Sequence, residues 1–222
     1  MKNTKYWNSE GLQKIFTHPL CPEWIARLDK NFSVLDLGCG YGRLTPDLMR
    51  EGFSTIYGYD FSAPMIERAV LENPGAAYTS SAEDLSGMSF DLIVCFALFT
   101  SCPDTSAQID LVSLINRLSC ENGWLYISDY NTHDNPNYRD RYKQRRLNIY
   151  GCFSSGNAVF RHHEPGHFDR LMVGWDRLEE RLLGSQTLNG NNVNVHQYLY
   201  KKRMGQLIDG GWFGDDHTTR SF

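Results

Sequence analysis

No stretch of this 222-residue chain approaches the roughly 18 consecutive apolar residues a membrane-spanning helix requires. The opening Met1-Lys2-Asn3-Thr4-Lys5 leads into no apolar segment of the kind that heads a secretory leader. Both absences predict a cytoplasmic protein. Basic residues are not in excess: 22 Lys and Arg stand against 26 Asp and Glu, a net charge of −4. No general electrostatic pull toward nucleic acid or an anionic membrane is therefore expected. The six cysteines, at 21, 39, 95, 102, 120 and 152, form no C-x-x-C pair and no zinc-ligand spacing. They read as free thiols in a reducing compartment. His162, His163 and His167 are close together, but Pro165 and Gly166 interrupt them, so no metal ligand set is expected either. What is present, 41% apolar and 22% charged residues, suits one globular domain with a sizeable core.

The most informative stretch is Val34-Leu35-Asp36-Leu37, running straight into Gly38, Gly40 and Gly42 before Arg43-Leu44-Thr45-Pro46-Asp47-Leu48-Met49 resumes helical spacing. This predicts a strand, a tight turn and a helix. Each missing Cβ lets a ligand lie against the backbone, and the following helix start offers unpaired N–H groups. Dinucleotide folds use G-x-G-x-x-G over a pyrophosphate. Here the pattern is G-x-G-x-G and the next position is Arg43, so the dinucleotide reading loses weight. A second apolar run, Ser54 to Tyr59, ends in Asp60, 22 residues beyond Gly38. At that distance a carboxylate reaches a ribose, where it can accept two hydrogen bonds from the vicinal diol.

With Asp36 at the strand end, D-x-G-x-G-x-G resembles motif I of the class I S-adenosylmethionine-dependent methyltransferases. Asp60-Phe61-Ser62-Ala63-Pro64-Met65 looks like the family's D-x-S-x-x-M, with Ser62 capping the next helix. Ser81-Ala82-Glu83-Asp84-Leu85 resembles its G-D-A-E-D-L, with Ser81 where an aspartate is common. Phe90 to Phe96 matches the fourth strand, and Glu121-Asn122-Gly123 followed by Trp124 to Ser128 matches the turn and fifth strand. The resemblance implies an α/β fold over residues 1–203, a Rossmann-like doubly wound seven-stranded sheet of order 3-2-1-4-5-7-6 with the last strand antiparallel. It implies S-adenosyl-L-methionine as cofactor and methyl transfer to a small-molecule acceptor. The cofactor residues it implies are Tyr6, Trp7, Asp36, Gly38, Cys39, Gly40, Gly42, Asp60, Phe61, Met65, Ser81, Ala82, Glu83 and Phe96. Two alternatives stay open: a cofactor-binding enzyme of other chemistry, such as cyclisation, and a non-catalytic cofactor-binding partner. No acidic cluster and no N-P-P-Y follows the fourth strand, so metal-independent chemistry is expected.

The flanking segments complete the expectation. Residues 1–30 place Trp7, Leu12, Ile15, Phe16, Trp24, Ile25 and Leu28 at spacings of three and four around His18-Pro19-Leu20-Cys21-Pro22, and read as a helical cap. A helix from about Asp104 to Leu118 would bury Ile109, Val112, Leu114, Ile115 and Leu118. Residues 130–163 read as a lid insert over the acceptor. Arg139, Lys143 and Arg146 fall at helical spacing, with Arg141 and Arg145 also four apart, so a helix here would be basic on much of its circumference and could capture an anion, and Tyr150 to Phe153 with Ala158 to Arg161 would form a hairpin. A base, if one is used, is expected from Tyr130, His133, His162 or His163, since imidazole titrates near neutrality. A short helix from Phe168, a strand from about Arg181, an Asn189-Gly190 turn and a strand from Asn194 would close the sheet. Residues 204–222 read as a polar tail, and the assembly as monomer or homodimer.

Overall fold

The structure, a computed structural model, describes residues 3–15, 17–186 and 192–204. Along the chain these form α1 (Thr4–Trp7), α2 (Pro22–Ala26), β1 (Ser33–Leu37), α3 (Thr45–Arg50), β2 (Thr55–Tyr59), α4 (Ala63–Glu72), β3 (Ala77–Thr79), β4 (Phe90–Phe96), α5 (Thr105–Leu118), β5 (Ser119–Tyr130), α6 (Pro136–Tyr142), β6 (Cys152–Ser155), β7 (Ala158–Arg161), α7 (His167–Leu171), β8 (Trp175–Gln186) and β9 (Asn192–Lys202). Seven strands make one sheet in the order β3-β2-β1-β4-β5-β9-β8, while β6 and β7 pair as a separate hairpin. β1, β2, β3, β4 and β5 are mutually parallel, and β9 runs antiparallel to both β5 and β8. With the hairpin set aside as an insert, this is the expected 3-2-1-4-5-7-6 sheet with its last strand reversed.

Period-two alternation splits the strands into two cores. Leu35, Leu37, Ile93, Cys95, Leu125 and Ile127 face one side, where α5 supplies Ile115 and Leu118 and α7 supplies Phe168. Val34, Leu92, Val94 and Tyr126 face the other, against Trp24, Ile25 and Leu48. Burial on both faces is why β1 and β4 read as almost unbroken apolar runs. Asp104 caps α5, its carboxylate accepting from the Ser106 N–H. The expected turn at Glu121-Asn122-Gly123 is instead an irregularity inside β5, which starts at Ser119: the pairing with β4 jumps from Phe90–Ser119 to Leu92–Trp124, and Asn122 takes the left-handed conformation (φ 57°).

Several expectations are corrected. Ile109 lies on the outer side of α5, 39% exposed, and the buried position one residue earlier is Gln108. The basic helix stops at Tyr142, because Arg145, Leu147 and Asn148 all take positive φ (43°, 60° and 57°). Arg139 and Lys143 point to solvent, and Lys143 pairs with Asp140 at 2.6 Å. β8 begins at Trp175, six residues before the expected Arg181. Its first half, Trp-Asp-Arg-Leu-Glu-Glu, carries the charges of a sheet edge rather than an alternating apolar face. There Arg177 pairs with Asp169 (2.9 Å) and Glu180 (3.1 Å). Ser62 stands at the N-cap of α4 without a capping bond; its hydroxyl donates instead to the Trp7 carbonyl at 3.3 Å. The Asn189-Gly190 turn and the tail from residue 205 lie outside the described residues.

The N-terminal segment and the insert are fastened to each other. Buried Asn3 donates through Nδ2 to the carbonyls of Ser101 (3.0 Å) and Val159 (2.7 Å), and its Oδ1 accepts from the Val159 N–H (3.1 Å). Asn157, in the hairpin turn, donates to Glu10 at 2.6 Å. α1 and β7 thus form one wall above the carboxyl ends of β1, β4 and β5.

Candidate active site

At those carboxyl ends, where open α/β sheets bind ligands, lies a cavity of about 330 Å³. The glycine loop forms its floor. The N–H groups of Gly38 and Cys39 donate to the Tyr59 carbonyl (2.7 and 3.0 Å), and Asp60 accepts from Gly40 N–H (3.0 Å) and Ser62 N–H (2.9 Å), one on each oxygen. Asp60 therefore staples the loop to the end of β2 and keeps further acceptor capacity on both oxygens for a ligand. The three loop glycines have different physical reasons. A Cβ on Gly38 would strike Leu98, and one on Gly42 would strike the Tyr78 ring and hydroxyl. Gly40, at φ 53°, has nothing within 4 Å of its Cβ position, so it alone leaves a cradle open to a ligand.

Three polar groups in this cavity lack partners. The Asp36 carboxylate makes no hydrogen bond with any described residue, its Oδ2 is buried, and burial raises its pKa to about 7 against the opposing effect of Arg43. The half-buried Arg43 guanidinium makes no hydrogen bond or ion pair with a described residue, although its charge acts on Asp36. The third is His18, 1% exposed, with Nε2 buried and unbonded. Its other ring nitrogen is tied to a chain of hydrogen bonds. Tyr126 Oη and Arg181 Nε donate to Gln197 Oε1 (2.6 and 2.7 Å), which sets the Gln197 amide so that its Nε2 donates to Ser128 Oγ (3.0 Å). Ser128 Oγ lies 3.2 Å from His18 Nδ1, so one ring nitrogen is held and Nε2 is left unbonded. Burial, reinforced by Arg43, lowers the His18 pKa to about 3, so the ring at the cavity wall is neutral.

A second cavity, about 240 Å³, adjoins the first and shares Trp7, Ala97 and Ser101 with it. Ala97 follows β4 at φ 53°, a conformation that costs a residue with a Cβ about 1–3 kcal/mol, and its N–H is held by the Ser128 carbonyl at 2.8 Å. The second cavity is walled by aromatic rings from α1, α6 and the hairpin, among them Tyr6, Tyr138, Phe153 and Phe160, together with Tyr130 and His162. His162 stacks with Tyr130 and with Tyr138 (5.1 and 4.9 Å between centroids), and its Nδ1 lies 2.7 Å from the Tyr142 hydroxyl. Burial drives its pKa well below the ordinary histidine value.

Of the residues expected at the cofactor, Trp7, Asp36, Gly38, Cys39, Gly40, Asp60, Phe61, Met65 and Phe96 line the first cavity. Tyr6 lines the second instead. Gly42 serves packing against Tyr78, and Ser81, Ala82 and Glu83 reach neither cavity, Ser81 donating to Glu83 at 2.6 Å. Of the candidate bases, Tyr130 and His162 line the second cavity, and burial raises the Tyr130 hydroxyl so that it stays protonated. His133 stands behind the wall, packed on Tyr138 at 4.8 Å. His163 is fully buried in the core with both ring nitrogens engaged, Nε2 at 2.9 Å from Gln108 Nε2 and Nδ1 at 3.3 Å from the Tyr130 carbonyl, and it lines neither of the two cavities. Sequence reasoning missed His18, Arg43 and Leu111 as lining residues. Arg43 was visible beside the glycines, but the role of His18 depends on Ser128, 110 positions away.

A family model described as a methyltransferase domain matches residues 12–172. Among curated proteins, the ubiquinone biosynthesis O-methyltransferases of Albidiferax ferrireducens and Xanthomonas oryzae pv. oryzae are 28% and 29% identical over 142 and 140 residues. The matches cover 57% of this chain and 54% and 56% of theirs, so the chain spans about half the length of these relatives. Among solved structures, a SAM-dependent methyltransferase from Methanosarcina mazei has a TM-score of 0.74 at 20% identity, covering 83% of this chain and 99% of that one. Magnesium protoporphyrin IX methyltransferase from Synechocystis PCC 6803, solved with bound SAH, has a TM-score of 0.64 at 16% identity, covering 90% and 97%. At such identities the solved structures establish the fold. The family model, which spans well over half the chain and contains the glycine loop, Asp60 and the fourth strand, establishes the rest: the chain belongs to the methyltransferase domain family.

Proposed function

We propose that the chain binds S-adenosyl-L-methionine in the first cavity and transfers its methyl group to a small molecule held in the second. The observation that carries this reading is the meeting of two cavities of different character at Trp7, Ala97 and Ser101. The unpartnered groups of the first fit the cofactor. Asp36 suits an ammonium, Arg43 suits a carboxylate, the unbonded His18 Nε2 offers a further polar contact, the open face of Gly40 admits the chain between them, and Asp60 has acceptor capacity for a ribose diol. Phe61 and Met65 offer apolar surface for an adenine. When bound, the cofactor supplies a methyl carbon on a sulfonium whose leaving group is already activated. The residues of this chain then have the tasks of alignment and water exclusion, which can supply much of the rate. The acceptor's lone pair forms the new bond to carbon as the carbon–sulfur pair departs to sulfur, and the acceptor's proton passes to solvent.

Residues 1–30 act as cap and 130–163 as lid in this reading. His18 and His162 are neutral and weakly basic, so the acceptor is a nucleophile that needs no strong base. The net charge of −4 supports a small-molecule acceptor over nucleic acid. Among the described residues, all six cysteines are free, in keeping with a cytoplasmic setting, and no helix is long and apolar enough to cross a membrane. We expect turnover that survives chelator. A monomer or homodimer is the assembly we expect.

Calorimetry against S-adenosylmethionine, S-adenosylhomocysteine and NAD tests the cofactor, and incubation of methyl-labelled cofactor with metabolite extract tests the transfer. Tight NAD binding with no response to the sulfur ligands would sink the reading. Bound cofactor with no labelled product would instead favour other cofactor chemistry or a non-catalytic binding role.

A further inference from the structure

We infer that the second cavity takes a planar aromatic acceptor bearing an anionic group, with the ring among the aromatic walls and the anion on Arg141. This rests on reading that cavity as the acceptor site. The walls are rings that meet mostly edge to face: Tyr6 to Phe160 at 5.8 Å, Trp7 to Phe160 at 6.4 Å, Tyr138 to Phe153 at 5.7 Å. Such a wall favours flat ligands, which gain offset-stacked or edge contacts. The polarity comes from Arg141, whose guanidinium lies over Tyr138 (5.1 Å) and Phe153 (5.7 Å) and is partly withdrawn from water. It makes no hydrogen bond or ion pair with any described residue, although the planar guanidinium is built for bidentate pairing with a carboxylate. Its neighbour Asp140 is taken by Lys143.

The opposite choice, a cationic ligand in an aromatic cage, is disfavoured by the charges on the wall. Among the described residues Glu10 is the one acid lining this cavity, and Asn157 already donates to it at 2.6 Å, whereas Arg141 lines the cavity with a positive charge that no described residue pairs. His162, held neutral by burial, adds no charge. The expected anion capture thus falls on Arg141, which lines the cavity, and not on Arg139 or Lys143, which face away from it.

The test titrates the full chain with 4-hydroxybenzoate, its neutral analogue 4-hydroxybenzamide, and benzyltrimethylammonium, each with and without S-adenosylhomocysteine. We expect saturable binding of the benzoate, about ten- to a hundredfold tighter than the amide, as one charge-assisted pairing predicts. Arg141→Gln should bring benzoate and amide to within about threefold, Arg141→Lys should fall between, and Arg139→Gln should behave as wild type. Circular dichroism and unchanged S-adenosylhomocysteine affinity confirm that the variants fold. Equal binding of the amide or the ammonium probe, a preference that survives Arg141→Gln, or no saturable binding of any probe would overturn the inference. Benzoate preference without S-adenosylhomocysteine binding would leave the anion site standing and remove the methyl-transfer reading. The reverse result would remove the anion site alone.

Discussion

Asp36 couples two properties of the molecule to pH with opposite signs. Its carboxyl is raised by burial to about 7 from 3.8. A carboxyl whose folded pKa lies above its unfolded one holds its proton more tightly in the fold, so the stability it contributes is complete below about pH 4 and is lost as pH rises through about 7. An ammonium ligand needs the ionised form, so affinity for S-adenosylhomocysteine should rise over the same window, by up to about tenfold per pH unit below the pKa. Urea denaturation and calorimetry at several pH values check both, and Asp36→Asn should flatten both profiles. Denaturation that still follows pH alike in wild type and variant would assign the titration to another group, Asp129 being the first to suspect, since burial raises it to about 7 as well. The glycines make a second contrast. Gly40→Ala, whose methyl meets open cavity, should keep most of the stability while weakening S-adenosylhomocysteine binding by more than about tenfold. Gly42→Ala, whose methyl meets Tyr78, should cost about 2–4 kcal/mol in urea. Equal effects of the two on binding and on stability would contradict the division of labour in the loop.

The cap and the hairpin are separate elements held by the Asn3 side chain, which spans 156 positions to Val159. Asn3→Ala removes three buried hydrogen bonds and should loosen this wall by about 1–3 kcal/mol without melting the sheet. Hydrogen exchange should then quicken over residues 4–13 and 152–161 and stay unchanged in β1 and β4; uniform acceleration would mean that the wall does not open by itself. How far each element could be read beforehand follows from its physics. β1, β4 and the glycine turn were legible because strands buried on both faces and a loop without Cβ atoms leave their mark in consecutive residues. So was the β6–β7 hairpin, whose Ser-Gly-Asn turn is local. The start of β8 was hidden, since a charged edge strand looks like a loop. Part of the site was hidden as well: His18 and the Asn3 latch owe their roles to partners distant in sequence, and the basic run 139–146 could be read as anion-binding without showing that Arg141 is its member at the cavity, since that cavity exists only once the wall has formed.

At the scale of the whole molecule, the binding half and the acceptor half come from different stretches of chain. The first cavity draws mainly on residues 36–65 and on α5, the second on residues 6–14 and 130–162. This explains why one could be foreseen residue by residue and the other only as a region. The two halves meet where β4 ends, so the strained Ala97 and the residues beside it belong to both.

The reversed strand β9 lies between β5 and β8, and this position fixes an order of events during synthesis. Until β9 emerges from the ribosome, β5 presents its outer edge, Trp124 to Tyr130, with no strand to pair. At about 5–20 residues per second, the stretch from residue 130 to residue 192 takes on the order of 3–12 s to translate. During that time the nascent chain carries an unpaired apolar edge of the kind that recruits other strands. Tyr126, buried and bonded through Gln197 of β9, also waits for its partner. A chain stalled at Gln186 should therefore be digested readily by protease and be held by trigger-type chaperones, whereas one extended far enough for Lys202 to clear the exit tunnel should resist. Equal resistance of the two would show that the first five strands already stand without the last.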